Sequence, residues 1–585
     1  MPKKIKINSR MEREAFEDMS LVDMVSVRRQ NSQNYLINYW DKWRDYYQLY
    51  RSIPNNAYQS YVGRANLFVP YVYSTIETII PRLTANQPKA QVAPRRPTDL
   101  RGAKLNQILF DYYWQRQRMK AKFKLWVKEG LLYGTGVVKT VWNSVKDEPE
   151  TFVVDLAGGS IFFDPTNTNL NDPSMWWIHE YEESIDDILE NPNYEIPGFL
   201  KRDDELIVEG GKDDAVGNYY KDFREYVQGK TPGKDSEARV GKIWEFWGLV
   251  DNKPWLISVL DGKYLIRNEA NPYEHGRPPF VVWVDIPVAH EPLGIGEVEP
   301  IERLQYELND VRNQRMDNVT QNLHQMWKIH KGADIDESEL VWRPNGVLHT
   351  DLMEGIEPIQ VPDMTRSAYN EESLIKQDIE VASGVNDFNR GVQGDGASDT
   401  ARGLMLQQEV ANARFQAKLD NIEDGLIILG EMQLANIQQF MPESKVIRIT
   451  DNKQVKWREF SKKEIQGQFD LVIEMGATQP MNKEVRRANA RELIATVAPY
   501  LQTMPDGANK LNRYLKYLEE TYDLTNDLEE EGAPAVGLAP FTPQASTPGQ
   551  AGPLLAANEA IYGQQGADLG GAPAGQTAPE LRGLL

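Results

Sequence analysis

The chain has 585 residues, 41% hydrophobic and 10% aromatic, with a formal charge of −21, an estimated pI near 5.0 and no cysteine. That length and composition allow a sizeable core and either several domains or one large multi-part subunit. The acidic balance argues against a free-standing nucleic-acid binder, whose affinity rests on cations that release counterions; the missing thiols exclude disulfides, thiolate nucleophiles and cysteine zinc sites, and fit assembly in a reducing cytoplasm.

No apolar run approaches the ~18 residues of a membrane span. The basic start, Met1-Pro-Lys-Lys-Ile-Lys6, has no signal-type apolar segment after it. Residues 1–60 read as helix, with an aromatic stripe of Tyr35, Tyr39, Trp43, Tyr46 and Tyr50. Such a stripe faces a core or a neighbouring subunit; the sharper alternative is base stacking. An approach segment, Arg64–Pro70, leads into an apolar helix, Tyr71–Leu83, and a proline-bounded strand within 85–94. A helix over 104–133 ends at Tyr133-Gly-Thr-Gly136 and gives way to a strand, Val137–Trp142. Arg116, Lys120, Lys124 and Lys128 lie four apart on that helix, the densest basic patch in the chain. They fit DNA phosphates, or a solvated face, or a face paired with carboxylates.

Residues 151–290 alternate short strands and turns: Phe152–Asp155, Ile161–Pro165, Trp176–Tyr181, Ile243–Val250, Trp255–Leu260 and Phe280–Asp285. Between them 200–238, rich in charge and glycine, reads as a surface insertion. A rod follows Gly294 and Gly296. Ile301, Leu304, Leu308 and Val311 form a helical seam, which Met316, Val319, Leu323 and Met326 resume after a slip. Pro300 suits the first turn. Gly332 is placed to end the rod near Lys331, with Lys328, His330 and Lys331 at the negative end of its dipole. The rod would be about 45 Å long. Its other face carries Gln305, Asn309, Asn313, Gln314, Asn318, Gln321 and Asn322, a neutral polar surface expected between similar neighbours and water.

Short strands are expected around Leu340–Trp342, Val347–Leu348 and Ile356–Val361. Asp363 then caps a return helix that Gly384 closes. A loop with Gly391, Gly394 and Gly396 leads to Ser398 or Asp399, either of which can cap a helix over 400–441. Phe415, Leu419, Ile422, Leu426 and Leu429 form its seam, and its length far exceeds the usual 10–14 residues. Strands Val446–Thr450 and Phe469–Glu474 come next, then helix over Lys483–Glu520, interrupted near Pro499–Gly507. From 529 a tail of Gly, Pro, Ala and Gln cannot bury enough apolar surface to offset its ordering entropy.

Motifs for catalysis are weak. Gly229-Lys-Thr231 imitates the end of a phosphate loop, but Arg224 stands where its first glycine belongs. Gly134-Thr-Gly136 and Gly294-Ile-Gly296 lack the third glycine of a dinucleotide loop. None of His179, His275, His290, His324, His330 and His349 is paired at i, i+4, so no zincin helix exists. No catalytic, cofactor-binding or metal-ligating residue is expected.

The order Asn271-Pro-Tyr-Glu-His-Gly276, Phe280 and its strand, Gly294-Ile-Gly-Glu297, an amide-rich helix, a small β module, a return helix, a glycine loop and a very long helix resembles the portal proteins (head-to-tail connectors) of tailed double-stranded DNA bacteriophages. The likeness covers roughly 60–500 and is supported by Asp399-Thr-Ala-Arg-Gly403. It implies an α+β portal fold: a mixed wing over 1–292, a first stem helix over 293–331, a clip over 332–362 and a second stem helix over 363–384. A tunnel loop over 385–399, a long helix and wing strands over 400–480, a helical crown over 481–528 and a flexible tail over 529–585 complete it.

The resemblance implies a ring of twelve copies at one capsid vertex of the virion, assembled in the host cytoplasm. Such a ring is a passive channel for genome packaging and ejection. Its partners would be double-stranded DNA in transit, the terminase large subunit, a head-to-tail adaptor, and the major capsid and scaffolding proteins, with no membrane span, cofactor or metal. The alternative is a ring-forming connector or tail protein without a packaging role. Asn386, Asn389, Arg390, Gln393, Lys328 and Lys331 are the channel candidates, though the loop could equally pack between subunits. Trp342, Arg343 and His349 are docking candidates, with a core role for Trp342 equally open. Arg116, Lys120, Lys124 and Lys128 form the basic surface patch.

Overall fold

The computed structural model describes residues 10–54, 64–84, 89–196, 227, 240–323, 326–330, 356–359, 362, 365–385, 401–451 and 454–474. Helix α1 (Arg10–Tyr50) presents the aromatic stripe inward: Trp43 and Tyr46 are each 2% exposed, and Tyr35, Tyr39 and Tyr50 are half-buried. The core-facing reading of the stripe therefore holds within the subunit. Tyr39 and Trp43 lie 5.7 Å apart, and Trp43 meets Tyr133 at 6.0 Å. Helix α2 (Tyr71–Thr84) and strand β1 (Lys89–Pro94) follow as expected.

The helix expected over 104–133 is two helices, α3 (Leu100–Arg116) and α4 (Met119–Tyr133). Arg118 between them takes the left-handed conformation at φ 53°, which breaks the hydrogen-bond ladder and turns the chain. The break lets both helices bury their own apolar faces: Leu109 and Tyr113 on one side, Phe123, Trp126 and Val127 on the other.

Two antiparallel sheets follow. In one, β2 (Thr135–Asn143) lies between β3 (Glu148–Val154) and β9 (Phe280–Val284), with Val137 opposite Val154 and Val282. The other runs β4 (Ile161–Phe163), β5 (Trp177–Ser184), β6 (Val240–Val250), β7 (Lys253–Leu260) and β8 (Tyr264–Ala270) in sequence order, with a short helix, α5 (Ile185–Glu190), after β5. Strand β8 was not legible in the sequence, because Asn268, Glu269 and Ala270 break its apolar alternation and are exposed. The sheets are joined by a buried ionic tie: Lys139 of β2 meets Glu245 of β6, with His179 Nδ1 of β5 3.3 Å from the Lys139 ammonium. Burial and the Lys139 charge hold His179 down to about 4, against the pull of Glu245.

The rod is shorter than expected. Helix α6 (Glu302–Leu323), entered through a single 3-10 turn at Glu299–Ile301, spans about 33 Å and does not reach Lys331. Trp327–Ile329 instead form β10, which pairs with β11 (Ile356–Pro358). Trp327, Lys328 and Ile329 suit a strand, and Lys328 sits 3.6 Å from Glu357 across the hairpin rather than at a helix end. Helix α7 (Thr365–Ser383) returns and ends at Gly384, φ 70°. Helix α8 (Ala401–Phe440) matches the expected length. It is followed by the hairpin β12 (Ser444–Asp451) and β13 (Gln454–Ser461), the short helix α9 (Lys462–Ile465) and β14 (Phe469–Glu474), which pairs with β1. Strand β13 was also missed; Trp457 and Glu459 are exposed on one face, and Phe460 is buried on the other. The expected segments 200–238 (apart from residue 227), Leu340–Trp342, Val347–Leu348 and Lys483–Glu520, and the tail after 529, lie outside the described residues.

Candidate functional site around the paired central helices

The entry to α6 is fixed by glycine against glycine. A Cβ on Gly134 would lie 2.0 Å from the Gly294 carbonyl oxygen, and one on Gly296 2.7 Å from that of Leu131. Gly134 also takes φ 85°, a conformation that only glycine adopts without strain. Of the two glycine pairs that imitated dinucleotide loops, Gly134 packs against both Gly294 and Gly296, while Gly136 packs against Trp126 and Trp283. Ile286 and Ile295 exchange two backbone hydrogen bonds, and Glu297 donates its N–H to Leu131 O at 2.8 Å. This turn is clasped to α8 by Lys418, whose ammonium lies 2.5 Å from both Asp285 Oδ1 and Glu297 Oε1. Asn421 adds a bond to the Asp285 carbonyl. All three charged groups are buried. Burial and Glu297 push the Asp285 carboxyl up, and Lys418 opposes them.

From that anchored start, α6 offers two faces. The first is a column of amides. Asn313 makes a two-way bond with Leu67, accepting its N–H at 2.6 Å and donating to its carbonyl at 3.1 Å. Asn309 accepts the N–H of Val69 at 3.0 Å, Gln305 donates to Val69 O at 2.7 Å, and Asp317 accepts the N–H of Ala65 at 2.6 Å. Gln305 also accepts the N–H of Val72 at 3.2 Å, satisfying one of the orphan donors at the start of α2. Positions one helical turn apart thus read every second residue of the extended arm 64–70, because two residues of strand (about 6.7 Å) nearly match one turn (about 5.4 Å). The expectation that these amides face water and neighbours is corrected for Gln305, Asn309 and Asn313, which are 0%, 8% and 8% exposed. Gln314 and Gln321 are exposed as expected.

The second face is charged and holds α7. Glu372, 4% exposed, lies 2.6 Å from Arg315, 3.2 Å from Arg312 and 2.8 Å from Lys376 of its own helix. Arg315 also lies 4.1 Å from the centre of the Tyr369 ring. Burial alone would raise the Glu372 carboxyl; Lys376, Arg315 and Arg312 outweigh it and hold it below its ordinary value. At the far end of α7, Arg414 of α8 donates to the carbonyls of Val381 and Ala382 at 3.1 and 3.4 Å, closing the helix where Gly384 turns.

Of the basic patch, Lys120, Lys124 and Lys128 keep their four-residue spacing on α4, and Arg116 lies on the helix before it. Arg116 ends α3 and pairs with Glu148; Lys128 on α4 lies 2.7 Å from Glu77 and 2.9 Å from Tyr50 Oη; Lys120 and Lys124 are exposed on α4. Among the channel candidates only Lys328 is described, exposed on β10. Lys331, Asn386, Asn389, Arg390 and Gln393, and the docking candidates Trp342, Arg343 and His349, lie outside the described residues. Sequence reasoning missed Glu372, Lys418 and Asp285. Glu297 stood inside a recognised motif, but a chain with 86 acidic residues gives no local sign of which carboxylate will be buried.

Among the described residues no helix is long and apolar enough to cross a membrane. A family model described as "Phage SU10 portal protein" matches residues 153–530. A chain in a solved structure described as "Neck of empty GTA particle computed with C6 symmetry" is similar at 11% identity and a TM-score of 0.36, over 73% of this chain and 86% of that one. At that level the likeness bears no weight for function.

Proposed function

Because the chain belongs to the phage SU10 portal protein family, we propose that twelve copies close into a ring at one capsid vertex and conduct genome DNA inward during packaging and outward at ejection. In this reading α6 and α7 are the stem around the channel, the β10–β11 hairpin opens the clip, the sheets and α8 form the wing, and 481–528 form the crown. The observation that carries it is the rod, hairpin and return rod, with α6 and α7 locked side by side through Glu372.

The lock at Glu372 suits a conduit. A stem that conducts a stiff duplex under load must keep its helices in register, and buried charge pairs fix register more sharply than apolar contact does. The chain's acidic balance suits a low-friction bore, since each phosphate neutralised adds affinity that sliding must break. The loop over 385–399, with Asn386, Asn389, Arg390 and Gln393, then touches DNA loosely, together with Lys328 and Lys331 near the clip. Trp342, Arg343 and His349 dock the terminase large subunit and afterwards the head-to-tail adaptor. Capsid and scaffolding proteins meet the wing during assembly in the host cytoplasm. Electron microscopy of the purified protein tests the ring: twelvefold particles with an open centre are expected, and a lone subunit at all concentrations overturns it. A pull-down with the cognate terminase separates a portal from a connector with no packaging role.

A further inference from the structure

A cleft of about 480 Å³ opens between the turn at Asn271–Pro278, the α8 segment at Ile428–Gln438 and the turn at Gly467–Phe469. His275 lines it. The His275 ring stacks on Tyr273, with centroids 5.2 Å apart and planes 6° from parallel. Its Nδ1 accepts the backbone N–H of Arg277 at 3.1 Å. An imidazole that accepts at Nδ1 carries its proton on Nε2, so Nε2–H is a donor. That atom is buried and has no hydrogen-bond partner among the described residues. Burial and the Arg277 charge hold the ring down to about 4, which keeps it in this neutral form at neutral pH.

Arg277 lines the same cleft, half-buried; its charge is felt by the Asp172 carboxylate, though among the described residues it forms no direct ion pair. The second arginine of the cleft, Arg95, is already committed to Asp470 at 2.5 Å. Glu431, exposed on α8, adds one negative charge to the wall. The cleft therefore presents one guanidinium with no direct ion pair among the described residues, one buried N–H donor and one repelling carboxylate.

We propose that this cleft binds a carboxylate group, gripped by the Arg277 guanidinium with His275 Nε2–H as the second donor. A planar monoanion matches the guanidinium fork and meets the imidazole donor. A phosphate dianion would face Glu431 with no second free cation to offset it. The carboxylate has two sources: a small free acid, or an Asp or Glu side chain of a second copy in the ring. The second source rests on the ring reading above.

Saturation-transfer NMR with acetate, on ring and subunit fractions separated by size, tests the site at constant ionic strength. Acetate is expected to bind the wild type. Arg277→Gln should weaken binding about tenfold, as loss of a charge-assisted hydrogen bond does. Glu431→Gln, which removes the repelling charge, should strengthen it about two- to fivefold and decides the matter if the arginine variant does not fold. Binding to both fractions assigns the site to a free acid. Binding to subunits alone, with Arg277→Gln also weakening the ring, assigns it to a neighbour's side chain. Binding to neither fraction, equal binding by wild type and both variants, or phosphate displacing acetate better than chloride does, overturns the proposal. Because acetate binding is read on the subunit as well, a failure of ring formation would show separately from a failure of this site.

Discussion

The two faces of α6 do the same job with opposite chemistry. Toward the arm 64–70, neutral amides and, at the column's end, the Asp317 carboxylate bond to backbone N–H and C=O groups; toward α7, two arginines converge on one buried glutamate. The amide face reads only the path of the chain, because every contact is to the backbone. It should tolerate changes of arm sequence, and its amide contacts should ignore pH and salt. The charged face reads particular side chains, so it fixes one register of two helices and answers to protonation. A helix that must hold one neighbour firmly and another in a single register separates these tasks onto two sides.

The largest effect is expected where an ion is stranded. Lys418→Met leaves Asp285 and Glu297 buried together without a cation, and should cost about 3–5 kcal/mol in denaturant unfolding. Glu372→Gln removes the carboxylate on which Arg312, Arg315 and Lys376 converge. It should cost somewhat less, about 2–4 kcal/mol, because Arg312 and Lys376 reach water. A smaller cost in Glu372→Gln than in an amide-face variant would break the comparison.

Acid should separate the faces next. Glu372 is depressed in the folded state, so its contribution is present above the unfolded value near ~4.3 and is lost as pH falls through the folded one. Glu372→Gln should lose that part of the acid sensitivity, while Asn313→Ala should keep it. His179 acts over a higher window. With its folded value near 4, the unfolded chain binds the proton first as pH falls from ~6.5. His179 should then remove about 1.4 kcal/mol per pH unit down to that value, beside a like share from His275, and His179→Gln should lift its own share of the slope in urea titrations.

On the neutral face, Asn313→Ala strands the N–H and C=O of Leu67 and should cost about 1–3 kcal/mol, with no change in pH slope. The smallest effect belongs to the arm's own side chain. Leu67, 43% exposed, gives only its backbone to the helix, so Leu67→Gln should shift stability by no more than about 0.5 kcal/mol. A large loss there would mean that the amide face reads side chains after all.

Periodicity made much of this legible. The seam at Phe415, Leu419, Ile422, Leu426 and Leu429 is buried along α8, and the stripe at Trp43 and Tyr46 is buried along α1. Both patterns are dense and local, and apolar burial needs no particular partner. The break at Arg118 and the end of α6 before Trp327 were not legible. Each depends on what lies opposite, a second apolar face in one case and a β partner about thirty residues away in the other.

By itself the sequence determined the order of rods, turns and strands, and the family those motifs belong to, because the period of an apolar pattern is written along the chain. Only the tertiary structure decided that Gln305, Asn309 and Asn313 are buried against a backbone, and that Glu372, Asp285 and Lys418 are the charges taken out of water. Amides and carboxylates are equally at home in solvent, and nothing local distinguishes the few that folding encloses; their partners lie far away in the chain and meet them only when the fold is complete.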